Sequence, residues 1–323
     1  MEYSRLCAAT RKNSDSSKSG TKKLRPSPLA ATRSIPAGLG SALPHLIGLR
    51  YPAEVGLVGD CRTVLRALLP LVRKKTDQSF IETCQKRMKS WNELTEERGQ
   101  RTDMPMKPQA VTYHLNKLLQ PDAIVSADSG TIPTWAARYI EIRDRMQFSL
   151  SGSLATMANG LPYSIGAAVA YQNRQVVCIV GDGGLTMLRG ELATLVKYRL
   201  KVKVIVVKNN TPGQIKWEQM VFEGNPEFGV DLQPIDFVGI AINCGAAGFT
   251  IEKPGEAEEI LRRALLHDGP AVVQAVVDPN EPPLPGNVST DQFIKFSEAL
   301  LKGQKDGWKI LKTVMRDKIR EVV

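Results

Sequence analysis

Two side chains able to hold a metal, Asp182 and Asn209, stand 27 positions apart, and each follows a short apolar run. Asp182 lies in Gly181-Asp182-Gly183-Gly184 after Val176–Val180, and Asn209 follows Val202–Val207 and Lys208. Glycines let a backbone approach an anion closely and adopt positive φ, and N–H groups at the start of a helix favour phosphate. A carboxylate beside a phosphate is repelled unless a cation lies between them. Asp182 therefore points to a hard divalent metal, because carboxylate, amide, carbonyl and phosphate oxygens form the ligand set that Mg²⁺ accepts. The plainer alternative is that Asp182 caps a helix and Asn209-Asn210 makes a turn.

Such residues need elements that place them together. Wholly apolar, β-branched runs read as strands buried on both faces of a parallel sheet. Leu188, Leu192, Leu195 and Val196 between them read as one amphipathic helix. Both polar residues then fall at carboxyl ends of neighbouring strands, where open α/β sheets bind ligands. The expected fold is α/β, a doubly wound, mainly parallel sheet with helices on both faces. Further elements fit it: a helix from Pro108 to Leu119, a strand from Ala123 to Ala127, a helix near Phe237 to Ile242, a strand around Phe249, a helix from Glu256 to Leu266 and a strand from Ala271 to Val277. Gly245 and Gly248 mark a turn. Asp128-Ser129-Gly130-Thr131 ends the first of these strands; it either donates N–H and O–H groups to a diphosphate or caps the helix containing Trp135. His114 is expected to be a core residue rather than a ligand.

GDGG, the strand-helix-strand spacing and the Asn-Asn pair resemble the thiamine diphosphate (ThDP) motif of the superfamily that contains pyruvate oxidase, acetolactate synthase and pyruvate decarboxylase. The resemblance implies ThDP and Mg²⁺ as cofactors, with Asp182, Asn209 and the carbonyl of Thr211 as metal ligands, and Gly181, Gly183 and Gly184 around the diphosphate. The family's Asn is usually the second of the pair; spacing and Gly213 place it on the first here, with Asn210 as the alternative. SGSLATMANGLP (151–162) resembles the loop in which a bulky apolar residue wedges under ThDP. Met157 would be that wedge, 25 residues before Asp182, with Ala155 where the family has glycine; the alternative for Met157 is plain core. Gln214, Ile215 and Glu218 would face the substrate, a small 2-oxo acid such as pyruvate. The plain alternative is a solvated helix start with Glu218 paired to Lys216 or to nothing.

Upstream, YPAEVGLVGDCRTVLRALLPLV resembles the last strand and helix of the pyruvate oxidase central domain, which carries FAD or its remnant only in a complete family member. The expected organisation is a disordered lead (1–45), this βα unit (46–76, ordered from Glu54, with Asp60 as a helix cap), a helical connector (77–107), a cofactor domain (108–280) and a helical tail (281–323). The family's glutamate that activates the cofactor sits on a pyrimidine-binding domain, and no stretch here resembles it. The expected partners are a second copy or a chain carrying that domain. Oxidase-like decarboxylation, acetolactate synthase-like carboligation and a non-catalytic assembly subunit remain as readings, with the QIKWEQ segment leaning toward the oxidase.

Composition excludes several classes. The net charge of +10 sits in the ends: residues 1–36 carry eight Lys/Arg against two acids and residues 302–320 seven against two, which leaves the body near neutral. A nucleic-acid-binding face is therefore not expected. Five scattered cysteines without a C-x-x-C pair read as free thiols of a cytoplasmic protein. The Ser/Arg-rich start reads either as a transit sequence or as sequence outside the fold. Neither VGDGG nor LVGD has the G-x-G-x-x-G spacing of a dinucleotide turn. Trp308, Leu311, Met315, Ile319 and Val322 form an apolar stripe expected to pack on a neighbouring domain, with contact to an anionic membrane the lesser alternative.

Overall fold

A computed structural model describes residues 38–41, 43–49, 52–152, 154–283 and 289–321. The chain divides into two units, Met1–Ser79 and Phe80–Val323. In the first, β1 (Gly38–Ser41) pairs in parallel with β2 (Val55–Val58), Gly38 opposite Val55. Helix α1 (Cys61–Leu68) follows, and Asp60 caps it by accepting the Thr63 N–H at 3.0 Å. β1 lies inside the stretch expected to be a structureless lead, so order begins ahead of Glu54. Gly-Leu-Gly-Ser carries no alternation to announce a strand, and its parallel partner is a non-local contact. The rest of that lead, residues 1–37, lies outside the described residues.

The second unit begins with α2 (Ser79–Gly99) and α3 (Pro108–Leu118). Its centre is a six-stranded, all-parallel sheet of β3 (Ile124–Ala127), β4 (Gln147–Ser149), β5 (Val176–Gly181), β6 (Val202–Lys208), β7 (Ala247–Ile251) and β8 (Ala271–Val276). The spatial order is β4-β3-β5-β6-β8-β7. Alternation along the strands builds two cores, because successive side chains point to opposite faces. Val177, Ile179, Ile205 and Val207 meet α3, α4 (Ile132–Tyr139) and α10 (Ala257–Leu266) through Val111, Leu115, Ile132, Ala136, Leu261 and Ala264. Val176, Cys178, Val180, Val204 and Val206 meet the opposite layer through Leu161, Leu185, Leu192, Leu195 and Phe237. These residues belong to α5 (Gly160–Ala170), α6 (Asp182–Leu188), α7 (Glu191–Lys197) and α9 (Phe237–Asn243). A buried Val, Leu or Ile contributes about 1.5–3 kcal/mol, so the two faces together fix the strand ends rigidly. The doubly wound expectation holds.

From β3 the chain runs outward to β4 along one face and then returns past β3 to β5 along the other. The β3–β5 boundary is thus a topological switch point, which opens a crevice beyond the carboxyl ends. The single helix expected after the glycine turn is two, α6 and α7, broken at Arg189–Gly190. β4 is a three-residue edge strand without a sequence signal, and α5 is small and apolar on all sides, so it lacks the helical period.

Behind the crevice, α8 (Gly213–Val221) packs on α11 (Thr290–Leu301) and α12 (Gly307–Glu321), with Trp217, Met220, Val221, Phe296, Ile310 and Val314 buried together. Of the expected stripe of the last helix, Leu311 packs on this cluster, while Trp308 and Met315 do not belong to it. Ile310 and Val314 face inward, whereas Trp308 is 77% and Met315 48% exposed; two adjacent apolar rows compete on that helix, and α8 selects one. Ile319 and Val322 lie outside the described side chains. His114 is neither enclosed core nor part of a ligand cluster: its Nδ1 lies 3.4 Å from Glu258 Oε2, and burial lowers its pKa against that carboxylate. Among the described residues no helix is long and apolar enough to cross a membrane, and Cys61, Cys84, Cys178 and Cys244 are free.

Candidate functional site

The crevice is a cleft of about 570 Å³, walled by the turns that follow β3, β4, β5 and β6. It gathers Ser129, Gly130, Ala155, Met157, Gly181, Asp182, Gly183, Gly184, Asn209, Thr211, Gln214, Ile215 and Glu218. The sequence reading placed all of these in a site. Leu150 and Pro133 also line the cleft; they had no signal, because their position depends on β4 and on the start of α4.

Asp182 is 5% exposed and opens α6 directly after β5. Its Oδ1 accepts the Gly183 N–H at 2.8 Å, and its Oδ2 accepts the N–H groups of Asn209 at 3.1 Å and Asn210 at 2.5 Å. The carboxylate therefore clasps the turn after β6, 27 residues on, and the two strand ends are locked in register. Burial pushes its pKa above the usual carboxylate range, against the N–H groups of Asn210, Gly183 and Asn209 and the charge of Lys208. The Lys208 ammonium is itself given to the Ile235 carbonyl at 2.7 Å. Asn209 Oδ1 accepts the Thr211 N–H at 3.2 Å, and Thr211 Oγ1 is buried without a partner. Asn210 adopts φ 55° and turns its backbone to Asp182 and Leu232, the role of a turn residue. No group of three or more His, Cys, Asp or Glu side chains gathers among the described residues. A cation here would rely on the mixed set of Asp182, Asn209 and a carbonyl, which is the chemistry of a hard ion.

Gly183 lies beside Met157 and Leu232, since a Cβ there would stand at ordinary contact distance, 3.4 Å, from both Met157 Cε and Leu232 Cδ1. Met157 thus reaches across the cleft floor to the glycine turn, and at 38% exposure it is not a core side chain. Ala155 (φ 47°) and Ala158 (φ 68°) flank it in the left-handed region. That backbone explains why glycine suits the position of Ala155. Gly213 approaches Thr131 and Asn209, to within 3.2 and 3.3 Å of a would-be Cβ, so the turn after β6 packs directly on the turn after β3.

Two expectations need correction. Asp128 does not enter the cleft, nor does it cap α4, whose first residue is preceded by Thr131 without a side-chain cap. It is fully buried under the start of α5, and a Cβ on Gly184 would lie 1.8 Å from its Oδ2. Burial raises its pKa against the nearby N–H groups of Ala158, Ser129, Gly160 and Asn159, none of which closes a well-formed hydrogen bond on either oxygen. Asn159 completes this corner by donating Nδ2 to the Ala127 carbonyl at 3.1 Å. Glu218 pairs with neither Lys216 nor solvent alone: Gln214 Nε2 donates to its Oε1 at 2.9 Å on the cleft wall.

Comparison with known proteins matches residues 128–275 to the family described as thiamine pyrophosphate enzyme, C-terminal TPP binding domain. The chain is 38% identical to YdaP of Bacillus subtilis, named as a thiamine pyrophosphate-containing protein, over 80% of this chain and 45% of that protein. It is 31% identical to the acetolactate synthase large subunit of Buchnera aphidicola, over 74% of this chain and 42% of that subunit. To the pyruvate oxidase of Lactiplantibacillus plantarum it is 29% identical, over 74% and 40%. The chain therefore spans less than half the length of each of these relatives.

Proposed function

We propose, for a chain that belongs to the thiamine diphosphate enzymes through its TPP-binding domain at residues 128–275, that the cleft holds ThDP with Mg²⁺ and serves decarboxylation of a small 2-oxo acid such as pyruvate. One observation carries this: a buried carboxylate, Asp182, met by the backbone N–H groups of Gly183, Asn209 and Asn210, stands at a switch-point cleft beside Asn209 and the unpaired Thr211 hydroxyl. The donor set fits the group. Asp182, Asn209 and the Thr211 carbonyl would hold the cation, and the glycine turn and the Ser129-Gly130 turn would offer N–H groups to the diphosphate. Bound ThDP supplies a nucleophilic carbon and an electron sink for decarboxylation. Met157 would brace it from below, and the Gln214–Glu218 pair would meet the 2-oxo acid, with Ile215 excluding water. The base that activates the cofactor is assigned to a partner, either a second copy or a chain with a pyrimidine-binding domain, working in the cytoplasm.

Calorimetric titration of ThDP in the presence of Mg²⁺ is expected to give heat that vanishes on Asp182→Ala; absence of heat, or its survival in the variant, would refute the site. Two of the three relatives separate the outcomes, one named for oxidation of pyruvate and the other for synthesis of acetolactate. Acetate from pyruvate in a reconstituted assembly would identify the oxidase-like course, and acetolactate the carboligase. An assembly that turns over neither way would leave a cofactor-binding subunit.

A further inference from the structure

The helix that carries Gln214, Ile215 and Glu218 into the cleft has a second face, and that face holds charge. Lys216, on α8, is 5% exposed, and its ammonium meets Glu227 Oε2 at 2.7 Å and Asn280 Oδ1 at 2.8 Å. Glu227 lies on the loop that leaves α8, and its N–H donates to Gln304 Oε1 at 2.8 Å, between α11 and α12. Asn280 lies just beyond β8 and is anchored by its own N–H on Asp278 Oδ1 at 2.8 Å. Asp278 in turn accepts from Lys107 at 2.6 Å, ahead of α3. One ammonium thus ties α8 to the loop behind it, to the end of the central sheet and to the last two helices. On the same helix Trp217 stacks on Phe296 at 6.3 Å, and Met220 is fully buried.

We infer that Lys216 is a positioning residue, fixing the rotation and depth of α8 and hence where Gln214 and Glu218 stand in the cleft. A helix of nine residues is too short to hold itself in water. Its orientation must come from what it packs against. Apolar contacts of Trp217 and Met220 are non-directional and allow sliding. A buried ammonium held by one hydrogen-bond acceptor, Asn280, and one counter-ion, Glu227, does not, since displacing α8 would strand a charge away from water. The cation site on Asp182 and Asn209 depends on β5 and β6, so the two functions separate: Lys216 governs the wall that faces the 2-oxo acid, and Asp182 governs the cofactor. The assignment of that wall rests on the proposed function, whereas the anchoring of α8 does not.

The test is hydrogen exchange of the full chain in wild type, Lys216→Met, Lys216→Arg and Glu227→Gln, with ThDP and Mg²⁺ titrated into each. Lys216→Met should speed exchange of the α8 amides about tenfold or more while β5, β6 and β8 stay protected, and should shift the emission of Trp217. Lys216→Arg should restore most of the protection, and ThDP affinity should change by less than about threefold in every variant. Glu227→Gln should give the same local loosening, and decides the matter if Lys216→Met does not fold. Unchanged α8 exchange in both variants would overturn the inference. So would acceleration spread evenly over the sheet, the mark of a residue that merely stabilises the whole. A wild-type chain that gives no ThDP heat would sink the cofactor assignment and leave the exchange result standing.

Discussion

Buried charge is treated in opposite ways at the front and back of α8. Behind the helix the buried ammonium groups meet charges of opposite sign: Lys216 with Glu227, and Lys107 with Asp278 at 2.6 Å and Glu281 at 2.9 Å. At the cleft, Asp182 is given only backbone N–H groups, and Lys208 nearby is spent on a carbonyl. Desolvating an ion costs several kcal/mol unless a counter-charge is supplied. The back of the helix supplies it from within the chain and is complete as it stands. The front leaves Asp182 to backbone N–H groups alone, and buried carboxylates with perturbed titration cluster at functional sites.

The largest effect should come from breaking the complete side. Lys107→Met leaves Glu281, 3% exposed in its side chain, without its counter-ion. Removing one partner of such a pair costs about 3–5 kcal/mol. A urea midpoint lowered accordingly, with ThDP affinity unchanged in whatever remains folded, would support the division; a loss below 1 kcal/mol would show that the back is no better compensated than the front. Asp182→Asn sharpens the contrast from the other side. It removes a charge the apo fold has to bury while keeping one acceptor for the turn after β6, so the apo protein should lose less than about 1 kcal/mol. Affinity for ThDP with Mg²⁺ should nevertheless fall about 100-fold or more. Calorimetry and thermal unfolding of the same preparation measure both quantities.

Lys203 is a third, intermediate case. It is 3% exposed on β6 and donates to the carbonyls of His267 and Gly269, both at 2.5 Å, and burial lowers its pKa from 10.5 to about 8 despite Asp268. The unfolded chain then binds the extra proton between about pH 8 and 10.5. Stability should therefore rise with pH through that window and be lowest below it. Relative to Lys203→Met, which lacks the group, wild type should gain about 1–2 kcal/mol between pH 7.5 and 9.5. Parallel curves for the two proteins would mean that the carbonyls compensate the ammonium fully.

What the sequence disclosed and what it withheld divide along similar lines. Val176–Val180 and Val202–Val207 are local patterns, so the strands, their direction and the meeting of Asp182 with Asn209 were legible before any coordinates. The wall of α8 was legible only through the family resemblance, which pointed to Gln214, Ile215 and Glu218 just after Gly213, and all three line the cleft. Asp128 was misplaced because its direction is decided by α5 and by the missing Cβ of Gly184, neither adjacent to it in sequence. The partners of Lys216 lie 11 and 64 residues away. The plain alternative offered only Glu218 for it, two residues on, which a helix turns to another side. Side-chain charges find partners through tertiary contacts, and the apolar period says nothing about them.

Ala155 offers the smallest effect and the finest resolution of the cleft's design. An alanine at φ 47° is strained by about 1 kcal/mol relative to glycine. Part of that returns as the entropy glycine loses on folding. Ala155→Gly should thus stabilise the protein by at most about 0.5 kcal/mol, and Ala158→Gly (φ 68°) by a similar amount. The informative quantity is ThDP affinity. If the two alanines hold Met157 over Gly183 by limiting the loop to one shape, glycine at 155 should loosen that loop and weaken binding two- to fivefold even as the melting temperature stays level or rises. Tighter binding in the glycine variant would mean that the strained backbone opposes the ligand, and the cleft would then resemble the back of α8 in being built for its own stability.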